Sequence, residues 1–173
     1  MAGDTSTGER AGTRWLDAEE QYAWRNYLRT GRLLETVLDR DLQKHGVQLS
    51  EYEVLSMLSE APRRHLRMSA LADLVVQSRS RLTHTAARLE RRGWVTRRPS
   101  PVDRRGVELF LTDDGMTALE EMARVHVDSV RRHLTDHLTR EEFLALGRAM
   151  HAVGTGIRKA PGGEDRGKGS DAC

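Results

Sequence analysis

The amino-acid sequence predicts a mainly α-helical fold with one small β-hairpin, on three observations. Apolar residues recur at intervals of three and four along most of the 173-residue chain, as they do on one face of a helix. Residues 94–98 and 107–111 have the composition of short strands and flank a basic loop that contains prolines, which predicts two antiparallel strands. Three residue pairs have the spacing of a capping box at a helix start: Asp17 with Glu20, Ser50 with Glu53, and Thr139 with Glu142.

The helices follow from these signals. The predicted helices are residues 17–46, 50–59, 70–76, 78–93 and 112–138, with a last helix after Thr139. Ser69, Ser78 and Thr112 cap the third, fourth and fifth of them, whereas Gly46, Pro62 and Gly93 mark the ends of the first, second and fourth. In the last helix Phe143, Met150 and Ile157 repeat every seven residues, a spacing that favours packing against another helix.

Three helices followed by a hairpin predict a winged helix-turn-helix, here placed between long terminal helices. The terminal helices carry more apolar surface than the small central unit can cover, so we expect a second copy of the chain to bury the rest. Helices that fold back within a monomer are the alternative. The predicted organisation is a disordered tail (1–16), a dimerisation helix (17–46), a winged helix-turn-helix domain (47–112), dimerisation helices (113–158) and a second disordered tail (159–173).

The composition excludes several classes of protein. Neither a long apolar run nor an apolar N-terminal signal occurs, so we expect a cytoplasmic protein without a membrane partner. A single cysteine, Cys173, argues against a disulfide framework and a cysteine-based redox sensor. Residues 63–105 contain twelve basic and three acidic side chains, a local charge of +9 that leaves −7 for the rest of the chain. This asymmetry indicates a polyanionic partner, with a solvated Arg-rich surface as the alternative.

The fourth helix carries the candidate reading face. If Leu82, Ala86 and Leu89 point inward, the opposite side presents hydroxyl, imidazole, methyl and guanidinium groups and no carboxylate. The major groove of DNA favours this chemistry, because phosphates repel carboxylates and guanidinium groups bind guanine bidentately. The residues expected to contact DNA on this helix are Ser78, Arg79, Ser80, Arg81, Thr83, His84, Ala87 and Arg88. An ordinary Arg-rich surface helix is the alternative.

The hairpin tip, residues 99–106, adds a second candidate contact. Two prolines stiffen it, and Arg104 and Arg105 are placed to enter a minor groove. Asp103 is expected to pair with a nearby arginine and hold the shape of the loop.

These segments together resemble the MarR family, the multiple-antibiotic-resistance type of bacterial transcriptional regulators. The resemblance lies in Leu71-Ala72-Asp73, Ser78-Arg79-Ser80-Arg81-Leu82-Thr83, Arg88-Leu89-Glu90-Arg91-Arg92-Gly93-Trp94-Val95, Asp103-Arg104-Arg105 and Leu111-Thr112-Asp113-Asp114-Gly115. It implies a homodimer whose fourth helices read a pseudo-palindromic operator, with Arg105 in the minor groove and Asp103 as its structural companion. One departure is Val107, where family members often carry a lysine.

The resemblance also implies a small aromatic or phenolic effector bound between the dimerisation helices and the reading head. Apolar walls with a few polar groups are typical of such a pocket. The candidate lining residues are Trp24, Arg25, Tyr27, Leu28, Tyr52 and Met57, with Arg25 as the partner of a carboxylate. Aromatic and Met side chains at helical spacing are also typical of an ordinary core, which is the alternative.

Enzymatic and metal chemistry have little support in the sequence. His133 and His137 lie one helical turn apart and His126 precedes them, but a third ligand is not convincingly placed. No phosphate-binding glycine loop or nucleophile motif occurs, so we expect neither a metal, a cofactor nor an enzyme. The sequence therefore predicts a dimeric, sequence-specific DNA-binding regulator, most simply a ligand-responsive repressor. A non-specific architectural DNA-binding protein and a protein-interaction module that uses the winged helix are the alternatives.

Overall fold

The computed structural model describes residues 13–101, 103 and 106–159. The chain divides into two compact units, with the boundary between Leu33 and Leu34. The helices are α1 (Ala18–Gln43), α2 (Leu49–Glu60), α3 (Met68–Leu74), α4 (Arg79–Arg91), α5 (Asp113–His133) and α6 (Arg140–Lys159). The strands are β1 (His65–Arg67), β2 (Val95–Pro99) and β3 (Val107–Leu111), and short 3-10 turns occupy Pro62–Arg64 and Thr135–His137. Within the described residues, none of the helices combines the length and apolar character that a membrane span requires.

Two of the three predicted capping boxes are confirmed, at α1 and α6. The Asp17 N–H donates to Glu20 Oε2 at 3.0 Å, and the Glu20 N–H donates back to Asp17 Oδ1 at 2.8 Å. Thr139 and Glu142 make the same reciprocal pair before α6. These bonds satisfy backbone donors that the first helical turn leaves open, so both helices begin where the sequence predicts.

The capping box predicted from Ser50 and Glu53 is wrong, because α2 begins earlier. The Gln48 N–H donates to Glu51 Oε2 at 3.0 Å, which makes Gln48 the N-cap residue. Asp39 of α1 accepts the Leu49 N–H at 2.8 Å. A carboxylate from another helix therefore caps the start of α2 and fixes it there.

Two further predictions need correction. α3 begins at Met68, so Ser69 lies inside its first turn and Arg67 takes the N-cap position. α5 ends at His133 rather than near residue 138, because Leu134 leaves the helical conformation and a 3-10 turn follows.

The predicted hairpin is present as β2 and β3, and β1 adds a third antiparallel strand to the wing. Its strand order is β1-β3-β2, with Leu66 opposite Leu109 and Arg97 on the other side of Leu109. β1 has only three residues, too few to show the alternation that predicts a strand. Its pairing attaches the start of α3 to the wing, since the chain passes directly from Arg67 into that helix.

The core of the second unit lies where α2, α3, α4 and the sheet meet. Its fully buried side chains include Val54, Leu55, Leu58, Leu71, Leu82, Ala86, Leu89, Val95 and Leu109. In contrast, every residue of α6 is exposed or half-buried. Most of the predicted tails at 1–16 and 159–173 lies outside the described residues; residues 13–16 have no regular structure, and Lys159 is the last residue of α6.

Candidate nucleic-acid interface

Local sequence signals and core packing fix the orientation of α4. Ser78 Oγ accepts the Arg81 N–H at 3.2 Å and caps the helix, as predicted. Leu82, Ala86 and Leu89 are fully buried, which confirms the predicted inner face. At the other end, Gly93 has a φ of 76°, in the left-handed region that glycine adopts readily and that often ends a helix.

The opposite face of α4 is exposed and rich in hydrogen-bond donors. Thr83 Oγ1 donates to the Arg79 carbonyl at 2.8 Å. The helix contains one carboxylate, Glu90, which accepts the Arg97 backbone N–H at 3.1 Å and its Nε–H at 2.8 Å. These hydrogen bonds from Arg97 hold the pKa of Glu90 below its usual range. The exposed residues of this segment are Ser78, Arg79, Ser80, Arg81, Thr83, His84 and Arg91, and Ala87 is half-buried.

Arg88 has a different environment from the other predicted contact residues. Its Nε–H donates to Glu51 Oε1 at 2.9 Å, and its Nη2 donates to Gln48 Oε1 at 2.9 Å. Glu51 is only 1% exposed. The guanidinium group of Arg88 therefore joins α4 to the beginning of α2 and compensates a buried carboxylate.

The wing loop is closed by backbone hydrogen bonds at its base. The Ser100 N–H donates to the Gly106 carbonyl, and the Gly106 N–H donates to the Asp103 carbonyl, both at 2.8 Å. Ser100 Oγ also donates to the buried Glu108 at 2.9 Å. Asp103 itself is exposed. Arg104 and Arg105, the predicted minor-groove residues, lie outside the described residues, and so does their expected pairing with Asp103.

A groove of about 450 Å³ runs between α4 and the wing. Arg79 and Thr83 line it from α4, and Arg97 and Val107 line it from the sheet. Arg67 lines the same groove, although sequence reasoning did not select it. The missed signal was β1, since a strand ending at Arg67 places this arginine beside the wing.

A larger cavity, of about 980 Å³, lies in the second unit and receives side chains from α1, α2, α5, the end of α3, the turn that follows it and the start of α4. Of the six residues predicted for an effector pocket, its lining includes Tyr52 and Met57. The other four belong to the N-terminal unit. There the rings of Trp24 and Tyr27 stack with centroids 5.9 Å apart. Arg25 donates to the side chain of Gln21 at 3.0 Å, and Leu28 is half-buried. The lining residues that sequence reasoning missed include Glu35, Glu53, Gln77 and His126.

The histidines of α5 and the turn after it have separate surroundings. His126 packs against Tyr52 with ring centroids 4.4 Å apart, and His133 Nε2 lies 3.5 Å from Asp41 Oδ2. His137 is in the 3-10 turn. Among the described residues, no cluster of three His, Cys, Asp or Glu side chains could hold a metal ion. Cys173 lies outside those residues.

The helices α2, α3 and α4, together called the head, carry the three-stranded wing. This arrangement and the exposed donor face of α4 define a winged helix-turn-helix protein. Comparisons with known proteins give the family. Residues 45–106 match the sequence profile of the MarR family. Sco3205 from Streptomyces coelicolor, a MarR family transcriptional regulator solved in complex with DNA, is 45% identical with a TM-score of 0.81, and the match covers 87% of this chain and 94% of that one.

Two further relatives agree with this assignment. The regulator AbsC, also from Streptomyces coelicolor, is 40% identical with a TM-score of 0.78 over 86% of this chain and 100% of that one. The regulator PecS of Dickeya dadantii is 28% identical over 117 residues, 67% of this chain and 70% of its own. The chain therefore belongs to the MarR family of transcriptional regulators, which confirms the resemblance and the fold class predicted from the sequence. It is a family of regulators rather than enzymes, in agreement with the prediction that the chain is not an enzyme.

Proposed function

We propose that this protein is a ligand-responsive repressor that binds a pseudo-palindromic operator as a homodimer. One observation carries the proposal: the side of α4 opposite the buried leucines is exposed and presents guanidinium, hydroxyl and imidazole donors. On this face Arg81 and His84 are the proposed base-reading residues, because they project from the first turns of a helix that enters the major groove. The relative Sco3205 was solved in complex with DNA, which supports this use of the fold.

The remaining predicted residues take distinct roles in the proposal. Ser78, Arg79 and Ser80 contact phosphates at the N-terminus of α4, where backbone N–H groups also favour an anion. Thr83 and Ala87 lie further along the helix and contact base edges. Arg88 positions the helix through Glu51 rather than reading a base, because its Nε and Nη2 already donate within the protein. Arg105 is proposed to enter the minor groove with Asp103 as its structural companion, and Arg104 is proposed to contribute to the binding of all DNA sequences alike.

Exposed apolar side chains support the homodimer. On α6 Met150 is 38% and Ile157 is 66% exposed, and in the N-terminal unit Trp15 is 84% exposed. Apolar side chains this exposed along one helix suit burial against a second copy of the chain. A dimer places two reading helices on successive major grooves, about 34 Å apart, and so accounts for a palindromic site.

The cavity of about 980 Å³ supports a response to a small ligand. Its lining includes Gln77, which precedes the N-cap residue of α4, and Arg81 on that helix. A molecule bound there would contact the reading helix, and it would lower the affinity for DNA to the extent that it binds less tightly to the DNA-bound position of that helix.

The test is selection of bound sequences from a random DNA pool, followed by fluorescence anisotropy at fixed salt. We expect a recovered palindrome, and we expect Arg81→Ala to weaken operator binding by about 1–3 kcal/mol and to relax the preference at one base pair. Arg124→Ala, which removes an exposed charge from α5, is the matched control and should leave the preference unchanged.

Two outcomes would contradict this function. Equal affinity for the selected site and for random duplex would favour an architectural DNA-binding protein. Failure to bind any duplex at low salt would favour a protein-interaction module.

A further inference from the structure

The charges around the large cavity are unequal. Three carboxylates, those of Glu35, Asp39 and Glu53, line it, and they face one guanidinium group, that of Arg81. Asp39 already accepts the Leu49 N–H at 2.8 Å and so has a role in capping α2. The other two carboxylates add negative charge on the α1 and α2 sides of the cavity.

Glu53 shows that this negative charge is not fully compensated. Its pKa is raised above the usual value, first by burial and then by the nearby charge of Glu35. Arg81 acts in the opposite direction but does not cancel these effects. A cation in the cavity would remove this repulsion, whereas an anion would increase it.

Two buried polar atoms of the lining residues have no hydrogen-bond partner in the described part of the chain. They are Gln77 Oε1, an acceptor, and His126 Nδ1. Burial lowers the pKa of His126, which favours the neutral imidazole, and one nitrogen of a neutral imidazole is an acceptor. Buried polar atoms generally have partners, so these two are available to hydrogen-bond a molecule in the cavity.

The remaining walls suit a flat apolar group. The Tyr52 ring packs against His126 with centroids 4.4 Å apart, and Met57, Leu74 and Val75 complete this part of the lining. Aromatic and Met side chains bind planar ligands well, because they offer a large and adaptable contact area.

We propose that the cavity binds an aromatic cation with N–H donors, such as an aryl amidine, an aryl guanidine or a protonated arylalkyl amine. The ring lies against Tyr52 and Met57, and the cationic head faces Glu35 and Glu53 and donates to Gln77. This ligand class differs in charge from a phenolic acid, which the same carboxylates would repel. The role of the ligand as an effector rests on the proposed function, but its binding does not.

The cavity also includes the turn before α4. Val76, which lines it, has a φ of 51° although it is β-branched, and the residue is 91% exposed. A β-branched residue in the left-handed region is strained. The ligand would therefore touch a strained segment that leads directly into the reading helix.

Isothermal titration calorimetry of the full chain, without DNA, tests the proposal with three probes of nearly equal shape. They are naphthamidine (a cation), naphthamide (neutral) and naphthoate (an anion). At neutral pH we expect naphthamidine to bind about tenfold more tightly than naphthamide, since two partly exposed ion pairs each contribute modestly. Naphthoate should bind more weakly than naphthamide.

Variants locate the binding site. Glu35→Gln and Glu53→Gln should each weaken naphthamidine binding about threefold and leave naphthamide binding unchanged, because each removes one charge and keeps the side-chain shape. Glu120→Gln removes an exposed carboxylate outside the lining and should change neither. Thermal unfolding verifies that each variant is folded.

Naphthoate binding as tight as that of naphthamidine would overturn the proposal. Equal loss of naphthamidine affinity in Glu53→Gln and Glu120→Gln would overturn it as well, because it would indicate attraction by the overall charge. A chain that binds naphthamidine as expected but fails to select a DNA site would refute the proposed function and leave the cation site standing.

Discussion

α4 and α6 use their two faces in opposite ways. α4 fully buries Leu82, Ala86 and Leu89 within one chain and exposes polar donors. α6 exposes Phe143, Met150 and Ile157, and none of its residues is fully buried in the single chain. The exposed polar face of α4 therefore suits a polyanion, whereas the exposed apolar face of α6 suits another protein surface.

This difference separates two kinds of stability. The core of the head is complete within one chain, so its packing contributes to unfolding of the protomer at any concentration. The apolar face of α6 contributes only when another surface covers it, so its contribution depends on protein concentration. Substitutions on the two helices should consequently change different measurements.

The largest effect is expected from Leu82→Ala. Removing a fully buried leucine side chain leaves a cavity between α4 and its neighbours and should lower the free energy of unfolding by about 2–5 kcal/mol. Urea denaturation measures this loss. His84→Ala on the exposed face of the same helix is the control, with a change expected within about 0.5 kcal/mol. Similar losses in the two variants would show that the orientation assigned to α4 is wrong.

The second effect is expected from Met150→Asp on α6. A charge placed in the proposed subunit interface should weaken dimerisation by about 2–4 kcal/mol, because it is desolvated without a partner. Sedimentation equilibrium measures the dissociation constant, and circular dichroism verifies that the helices remain. Met150→Leu, which keeps the apolar surface, should leave the dimer intact. A Met150→Asp chain that dimerises like the wild type would place the interface elsewhere.

The elements that local signals define could be predicted from the sequence. Ser78 and Gly93 bound α4 by their own chemistry, and the Asp17–Glu20 and Thr139–Glu142 pairs begin their helices as expected. The start of α2 could not be predicted, because the carboxylate that caps Leu49 belongs to Asp39 of another helix. The strand β1 was missed for a similar reason, since its partners lie in β3, more than forty residues away.

The candidate interface shows the same limit. The amphipathic pattern of α4 predicts which of its residues are exposed, because that depends on helical periodicity alone. The hydrogen bonds of Arg88 to Glu51 and Gln48 depend on how α2 packs against α4, which one sequence does not reveal. Similarly, the cavity combines Glu35, Gln77 and His126 from distant segments, so its chemistry became visible only in three dimensions.

The smallest effect concerns Asp41, where the end of α1 meets α5. Asp41 is 5% exposed, and its carboxylate accepts hydrogen bonds from Lys44 Nζ at 2.7 Å and from Ser129 Oγ at 2.8 Å. The hydrogen bonds from Lys44 and Ser129, with the charges of Lys44 and Arg132, hold the pKa of Asp41 well below its usual value. At neutral pH we expect Asp41→Asn to lower the free energy of unfolding by about 1–2 kcal/mol, as for the loss of a charged hydrogen bond.

The pH dependence identifies the carboxylate as the cause of this effect. Because the pKa is lower in the folded state, the stabilisation is complete above the unfolded value of about 3.9 and is lost as the pH falls towards the folded value. The difference between wild type and Asp41→Asn, measured by urea denaturation, should therefore narrow steadily below about pH 4. Asp128→Asn on the exposed side of α5 should show little difference at any pH. If the difference in unfolding free energy between wild type and Asp41→Asn stays constant with pH, the effect of the substitution comes from altered packing. The ion pairs between α1 and α5 would then contribute little to holding these helices together.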